Sequence, residues 1–143
     1  MLVLLACVTV ARATDSPADA IVGVWLTEQG EGKIRIFRCG ERYCGKTVWI
    51  RPTAEWPDPA TKTDTLNPSP DKRSRKLIGA TMMWGLTYDA EDGVYEDGSI
   101  YDSTRGKVYP CKAWVVEGGR KLKLRGFIGI SLLGQNTYWS RVK

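Results

Sequence analysis

The 143-residue sequence contains no histidine. This absence excludes Ser-His-Asp triads, histidine-based acid and base catalysis, histidine-containing zinc sites and the usual haem ligands. The length allows one domain, and a hydrophobic fraction of 43% with 26% charged residues excludes wholesale disorder and a polytopic membrane protein. We therefore expect a single domain with one packed core.

The N-terminal segment has features of an export signal. Leu2 to Val10 is an uncharged apolar run, and Ala11-Arg12-Ala13 has the small-x-small pattern that signal peptidase cleaves. The run is shorter than the roughly 20 apolar residues that span a bilayer. We predict a signal peptide over residues 1–13, a domain over residues 14–143, and a periplasmic or secreted protein without a stable transmembrane anchor.

Two alternatives for this segment stay open. The first cation is Arg12, so the positively charged start of a signal peptide is missing, which indicates an N-terminally truncated signal or else a buried strand of a cytosolic protein. Leu4 to Cys7 also has the pattern of a lipobox, in which Cys7 carries a lipid. Val8 to Val10 stays apolar, however, where a tethered protein normally turns polar.

Cysteine spacing predicts one disulfide and no metal site. Cys39 and Cys44 frame a short turn between two predicted strands, and in an oxidising compartment their disulfide is worth roughly 2 kcal/mol. A four-ligand zinc site would need two more soft ligands, and only Cys111 remains beyond the signal. Cys111 is expected to be a partly buried unpaired thiol, with a reactive or intermolecular thiol as the alternative.

After Ala20 nearly every segment alternates as a β-strand does, and helical periodicity is absent. Turns are predicted at Gly30-Glu31-Gly32, Asp92-Gly93, Asp97-Gly98 and Gly118-Gly119. Consecutive hairpins favour an all-β fold, a single antiparallel up-and-down β-barrel, over a sandwich. The predicted strands run from Ile21 to Thr27, Lys33 to Arg38, Tyr43 to Arg51, Ala80 to Tyr88, Val94 to Glu96, Ser99 to Ser103, Lys107 to Glu117, Lys121 to Ile128 and Asn136 to Val142.

The stretch from Pro52 to Lys76 holds five of the seven prolines and no strand pattern. A loop this long in a compact domain is usually functional or disordered, so a lid over the barrel mouth and a solvated mobile loop are both open. Large aromatic residues are expected in the core or barrel lining rather than in a ligand box. These residues are Tyr43, Trp49, Trp84, Trp114, Phe127 and Tyr138.

A short tryptophan motif stands at each end of the domain, Gly23-Val24-Trp25 at the start and Trp139-Ser140-Arg141 at the end. These two motifs resemble the Gly-x-Trp motif and the terminal arginine of the lipocalin-like barrels. In that fold the tryptophan plugs the closed end and the arginine packs over it. The resemblance implies a structural role and a cation–π contact for Trp25 and Arg141.

Segments along nearly the whole domain carry a second resemblance. They are Gly23 to Thr27, Cys39-Gly40 through Cys44 to Trp49, Lys62-Thr63-Asp64 with Asn67-Pro68, Arg73-Ser74-Arg75 with Leu77-Ile78-Gly79, Gly98 to Asp102 with Gly106 to Tyr109, Leu122 to Gly129, and Leu132-Leu133-Gly134. With these segments the chain resembles an exported bacterial family catalogued as domain of unknown function 2147. That resemblance implies a lipocalin-like β-barrel and export, and it implies no established activity.

One set of polar residues is a candidate ligand site at a barrel end. Two arginines spaced as Arg73 and Arg75 converge if their segment is extended, and guanidinium groups suit a carboxylate or phosphate. The alternative is a set of ion pairs from arginine to Asp64 and Asp102 that fastens the loop to the barrel. The candidate ligand-binding residues are Lys62, Asp64, Asn67, Arg73, Arg75, Trp84, Tyr101, Asp102 and Arg125.

The remaining acidic and basic residues predict no cofactor and no nucleic-acid partner. Asp89, Glu91, Asp92 and Asp97 are explained by turns rather than by calcium. A net charge of +5, interleaved with acids, is too modest for nucleic acid. We therefore predict a monomer or weak homo-oligomer that binds a small amphipathic or anionic ligand. The alternative is a filled barrel that binds a component of the bacterial envelope, and an enzyme is the least favoured class.

Overall fold

Eight antiparallel strands form a closed barrel in which neighbours in the chain are neighbours in the sheet and β8 pairs with β1. This computed structural model describes residues 16–126 and 135–142, so the predicted signal peptide, Cys7 and Phe127 lie outside the described residues. The predicted up-and-down barrel is confirmed. Its strands are β1 (Gly23–Leu26), β2 (Gly32–Cys39), β3 (Arg42–Ile50), β4 (Thr81–Asp89), β5 (Val94–Asp102), β6 (Lys107–Val116), β7 (Lys121–Gly126) and β8 (Gln135–Arg141).

One end of the barrel is filled by large inward side chains. A 3₁₀ helix at Pro17–Ile21 lies against this end, and it includes Ile21, where the sequence predicted that the first strand begins. The Tyr95 hydroxyl donates to the carbonyl of Ala18 at 2.6 Å, and the Tyr43 hydroxyl donates to Asp19 Oδ1 at 2.7 Å. The rings of Tyr43 and Tyr95 meet edge to face, with centroids 5.6 Å apart. This end is therefore a packed core.

Trp25 and Arg141 close the barrel where its first and last strands meet. They are register partners in β1 and β8, and the Arg141 guanidinium carbon lies 4.2 Å from the centre of the fully buried Trp25 ring. The guanidinium also donates to the carbonyls of Gly119, Val22 and Ala20. The predicted cation–π contact is thus present.

The predicted turn at Asp97-Gly98 is wrong, because β5 runs through it as one strand. The register with β6 shifts between Tyr95 and Gly98, and Asp97 has a φ of +61°, which together mark a β-bulge. A Cβ on Gly98 would lie 2.9 Å from the sulfur of Cys111, so only glycine fits there. At this position an Asp-Gly pair, which is typical of turns, forms a β-bulge within a strand.

Most of the aromatic residues predicted for the core or lining lie on the outer wall. Tyr43 is buried as predicted, but Trp84 and Tyr138 are 37% and 42% exposed. Trp49 and Trp114 each stack under a lysine on the outside. Strand alternation explains the difference, since the neighbours of these residues take the interior positions.

The cysteines are arranged as predicted. Cys39 and Cys44 form a disulfide across the β2–β3 hairpin, with their Cα atoms 5.8 Å apart. Cys111 is unpaired and 2% exposed, pointing inward from β6. Burial raises the pKa of its thiol to about 12, so the thiol stays protonated and unreactive at neutral pH.

Candidate functional site

The half of the barrel opposite the 3₁₀ helix Pro17–Ile21 contains a cavity of about 530 Å³. Its inner wall is largely apolar, with aliphatic side chains from five strands and an aliphatic residue of the long loop. It reaches inward to Cys111 and Trp139. The apolar lining consists of Ile34, Ile50, Leu77, Met82, Met83, Ile100, Leu124, Cys111 and Trp139, together with the rings of Tyr101 and Tyr109.

On several strands the inward side chains become smaller towards the open end, which leaves room for the cavity. On β3 the inward residue is Tyr43 near the closed end and Thr47 near the open end. On β8 the corresponding pair is Trp139 and Thr137, and β7 ends with Gly126 at the cavity. The barrel is therefore filled in one half and hollow in the other.

Charges of both signs surround the mouth of the cavity. Glu28 and Glu31 come from the β1–β2 turn, Lys62 from the long loop, and Asp102 and Arg105 from the β5–β6 turn. Arg105 Nη1 lies 3.5 Å from Asp102 Oδ2. The mouth thus offers hydrogen-bond donors and acceptors above an apolar interior.

The long loop between β3 and β4 is held in place by a buried carboxylate. Asp64 is 1% exposed. Its Oδ2 accepts from Asn67 Nδ2 at 2.8 Å and from Arg75 Nε at 2.9 Å, and its Oδ1 accepts from the Tyr101 hydroxyl of β5 at 2.6 Å. Asp64 therefore ties two parts of the loop to the barrel wall, as the ion-pair alternative expects for Asp64. Asp102, by contrast, pairs with Arg105 of the β5–β6 turn rather than with an arginine of the loop.

Electrostatics favour the ionised form of this carboxylate. Burial by itself raises the pKa of Asp64, but the hydrogen bonds from Asn67, Tyr101 and Arg75 and the charge of Arg75 outweigh it and hold the pKa below its usual range. Burial, together with the neighbouring Asp64, raises the pKa of Tyr101 to about 12, so its hydroxyl keeps its proton and remains a donor.

Backbone contacts add to this attachment. Thr63 and Lys76 form a β-bridge, and the Leu77 amide donates to the Lys62 carbonyl at 3.0 Å. At the β5–β6 turn, a Cβ on Gly106 would overlap the carbonyl oxygen of Leu66, so the loop packs directly on glycine backbone. The segment is thus a folded strap beside the mouth.

Six of the nine candidate ligand-binding residues fall into two groups. Lys62, Tyr101 and Asp102 line the cavity, although Asp102 also accepts hydrogen bonds within its own turn from Thr104. Asp64, Asn67 and Arg75 form the buried network around the Tyr101 hydroxyl.

Arg73 belongs to neither of these groups. Its segment is a turn rather than extended, since Arg73 has αR dihedrals after the 3₁₀ helix Pro70–Lys72. Its Nε donates to the Asn67 carbonyl at 2.8 Å, whereas Arg75 Nε donates to Asp64. The two arginines therefore bind different groups and do not converge on one ligand.

Trp84 and Arg125 lie on the outer wall and do not line the cavity. Arg125 follows the inward Leu124 on β7 and therefore points outward, where its Nη1 donates to Asn136 Oδ1 at 3.3 Å. Trp84 is exposed next to the fully buried Met83, which takes the inward position on β4.

Several lining residues were not among the candidates from the sequence. Thr47, Thr137 and Met83 are cavity-lining positions that only the register of their strands identifies. Leu124 is the exception, because the alternation in Lys121 to Arg125 already placed it on the apolar face of a strand.

Within residues 16–126 and 135–142, no three His, Cys, Asp or Glu side chains are grouped so that they would hold a metal ion. In the same part of the chain, no helix has the length and apolar character needed to cross a membrane.

The fold and the cavity define the class of this protein: an eight-stranded lipocalin-like barrel, closed at one end by a Trp–Arg pair and hollow at the other. The chain belongs to the family described as an uncharacterized protein conserved in bacteria (DUF2147), whose model matches residues 23–141. The resemblance stated from the sequence is therefore confirmed.

A solved structure supports the same fold. The chain is similar to protein HP1028 from Helicobacter pylori, described as belonging to the lipocalin family, with a TM-score of 0.72 and 19% sequence identity. The match covers 86% of this chain and 83% of that one. Among curated proteins no relative matches the chain.

Proposed function

We propose that this protein binds a small amphipathic ligand in the open half of its barrel. The observation that carries the proposal is the 530 Å³ apolar cavity with a polar mouth. Ligand pockets typically measure roughly 300 to 1,000 Å³ and combine apolar walls with a few polar groups. The filled-barrel alternative is less favoured, because the open half retains this cavity even though Tyr101, Tyr109 and Trp139 line it.

The cavity chemistry indicates how the ligand would lie. Its apolar part would contact Ile34, Met83 and Leu124, and its polar end would meet Lys62 and Arg105 at the mouth. An anionic group is acceptable there because both cations are present, although Glu28, Glu31 and Asp102 limit the preference for anions. Asp64 and Arg75 would act indirectly by holding Tyr101 at the cavity wall.

We also propose that the protein works after export, in the periplasm or outside the cell. The Cys39–Cys44 disulfide is compatible with an oxidising compartment. The apolar segment over residues 1–13 would then be the leader that directs this export.

Native mass spectrometry of the protein purified from bacteria tests the ligand proposal. We expect a non-covalent mass increment that disappears on denaturation and identifies the ligand class. If the protein is purified bare and an environment-sensitive apolar dye also fails to bind it, the cavity is not a ligand site.

A matched pair of variants tests where the ligand binds. Thr137→Trp places an indole in the cavity, whereas Tyr138→Trp places one on the outer face of the same strand. We expect the first variant to lose ligand or dye binding by at least about tenfold and the second to bind as the wild type does. Equal binding by both variants would contradict an internal site.

A further inference from the structure

The outer wall where β1 and β8 meet is apolar. Trp25, Trp139 and Arg141 point into the barrel, so the residues that alternate with them face outward. Val22, Tyr138 and Val142 are 39%, 42% and 41% exposed, and the Val142 amide donates to the Val24 carbonyl at 2.8 Å. We call this strip the β1–β8 seam, and it consists of Val22, Val24, Leu26, Tyr138 and Val142.

Cations border the seam on both sides. On β7, Lys121 and Lys123 stand opposite Ser140 and Tyr138 of β8, and Arg125 follows on the same face. On β2, Lys33 and Arg35 stand opposite Leu26 and Val24 of β1. A line across the four strands through Lys121, Ser140, Leu26 and Lys33 therefore begins and ends with a cation.

Carboxylates are segregated from this face. None of the eleven outward positions in the seam, its central Ser140 and its two borders is Asp or Glu: Val22, Val24, Leu26, Lys33, Arg35, Lys121, Lys123, Arg125, Tyr138, Ser140 and Val142. Two carboxylates lie at its ends: Glu28 Oε1 accepts from the Tyr138 amide at 3.3 Å, and Asp19, which pairs with Arg38, lines the same surface pocket as Val22.

Two of the three border lysines, Lys33 and Lys123, are available to an anionic partner, whereas Lys121 Nζ donates to Ser140 Oγ at 2.8 Å. The Nζ atoms of Lys33 and Lys123 each lie 5.0 Å from the centre of a tryptophan ring, of Trp49 and Trp114 respectively. Neither lysine forms an ion pair within the described residues. Their flexible stems allow the ammonium groups to turn towards the seam without breaking a charge pair.

We propose that the β1–β8 seam and its cationic borders dock the protein on the surface of an anionic lipid bilayer. Aliphatic side chains and a tyrosine enter the boundary of the headgroup region, and rows of lysine and arginine on either side contact anionic headgroups. A soluble anionic polymer would use the cations and leave the seam exposed. A second copy of this chain would bring like charges together across the face.

Flotation of the protein with lipid vesicles tests this surface. The protein is produced with its own N-terminal segment and purified as the cell leaves it, so that wild type and variants share one N-terminus. Vesicles are made of phosphatidylcholine alone or of equal parts phosphatidylcholine and phosphatidylglycerol. We expect binding to the anionic vesicles that weakens as salt is added.

Paired variants distinguish binding through this face from binding through the overall positive charge of the protein. K33Q with K123Q removes one cation from each border, and we expect binding to weaken about 25-fold, or about fivefold for each charge. K72Q with K107Q removes the same charge from exposed positions elsewhere and should leave binding within about twofold. V22S with V142S keeps the charge and should also weaken binding, with the salt dependence unchanged.

Four outcomes would overturn the proposal. The first is that the protein does not bind anionic vesicles at low salt, and the second is that both pairs of lysine variants lose vesicle binding equally. The third is that the protein binds soluble polyglutamate as tightly as it binds vesicles and that the V22S and V142S pair does not change this binding. The fourth is that sedimentation shows dimers formed through this face. Thermal unfolding of each variant establishes that the barrel is intact before binding is compared.

Discussion

At the scale of single residues, the buried carboxylate of Asp64 depends on its hydrogen-bond partners. Its buried carboxylate receives three hydrogen bonds, from Asn67, Arg75 and Tyr101. Removing one partner of a buried ion pair leaves the other uncompensated and costs more than the pair itself contributes. Arg75 is one-third exposed, which reduces this penalty because water solvates part of the guanidinium.

We expect Asp64→Asn to lower the free energy of unfolding by about 2 to 3 kcal/mol at pH 7. The folded pKa of Asp64 lies below the unfolded value of about 3.9, so the ionised carboxylate stabilises the fold above that pH and loses this contribution as the pH falls through the folded pKa. Urea unfolding at several pH values should show the gap between wild type and variant closing in acid.

Asp71→Asn is the matched control, because Asp71 is an exposed carboxylate of the same loop. It should change the unfolding free energy by less than about 0.5 kcal/mol at every pH. A gap for Asp64→Asn that persists unchanged in acid would mean that the charge is not what stabilises the loop.

At the scale of elements, the connection between β3 and β4 acts as a strap rather than as an open loop. The Thr63–Lys76 bridge and the Asp64 network hold it internally, and the contact of Leu66 with Gly106 holds it against the β5–β6 turn. Because Lys62 and Leu77 of the strap also line the cavity, loosening it would alter the mouth. The strap therefore links stability to the shape of the candidate site.

Two glycines with the same φ allow the stability effect of a steric contact to be measured apart from that of backbone conformation. Gly106 and Gly93 both have a φ of +65°, but a Cβ would overlap Leu66 at Gly106 and meet nothing within 4 Å at Gly93. We expect Gly93→Ala to cost about 1 kcal/mol through backbone strain alone. Gly106→Ala should cost about 1 to 3 kcal/mol more, because the strap must move.

Urea unfolding measures both glycine substitutions, and binding of an apolar dye reports the mouth. Equal costs for the two variants would mean that the approach of Leu66 to Gly106 does not constrain the strap.

At the scale of the whole molecule, the barrel depends on the junction of its first and last strands. The β1–β8 ladder has two register pairs, Trp25 with Arg141 and Leu26 with Ser140, whereas β7 pairs with β8 over six positions. Arg141 compensates for the short ladder by stacking on Trp25 and donating to carbonyls of two other segments. One side chain thus closes the sheet.

We expect Arg141→Lys to lower the free energy of unfolding by about 2 to 3 kcal/mol, since lysine keeps the charge but loses the planar fork that reaches several carbonyls at once. Arg42→Lys, at an exposed position on β3, should be neutral within about 0.5 kcal/mol. Denaturant unfolding monitored by tryptophan fluorescence measures both. A neutral Arg141→Lys would show that strand pairing alone closes the barrel.

Local sequence patterns predicted nearly all of the strands, but of two Asp-Gly pairs that predict a turn only one forms it. Asp92-Gly93 closes the β4–β5 hairpin as predicted, whereas Asp97-Gly98 forms a bulge inside β5. The same dipeptide suits both because each needs a residue with positive φ. Which one forms depends on whether the neighbouring strand continues beside it, and that is a property of the sheet.

The candidate site was less predictable, because it depends on which side chains point into the barrel rather than on residue type. Residue type and spacing put Lys62, Asp64, Asn67, Arg75 and Tyr101 in one candidate set, and the structure places all five at the strap and the adjoining cavity wall. It did not indicate that Trp84 points outward and Met83 inward, because a shift of one residue reverses every assignment on a strand.

The sequence by itself determined the all-β class, the hairpin order, the disulfide and the closing pair of Trp25 and Arg141, since each follows from local alternation, short spacing or a motif. Only the tertiary structure decided that the barrel is half hollow, that Asp64 of the strap is buried against the barrel wall, and that apolar and cationic residues of four strands meet on one outer face. These features join residues distant in the chain, and register and closure, which no local pattern encodes, bring them together.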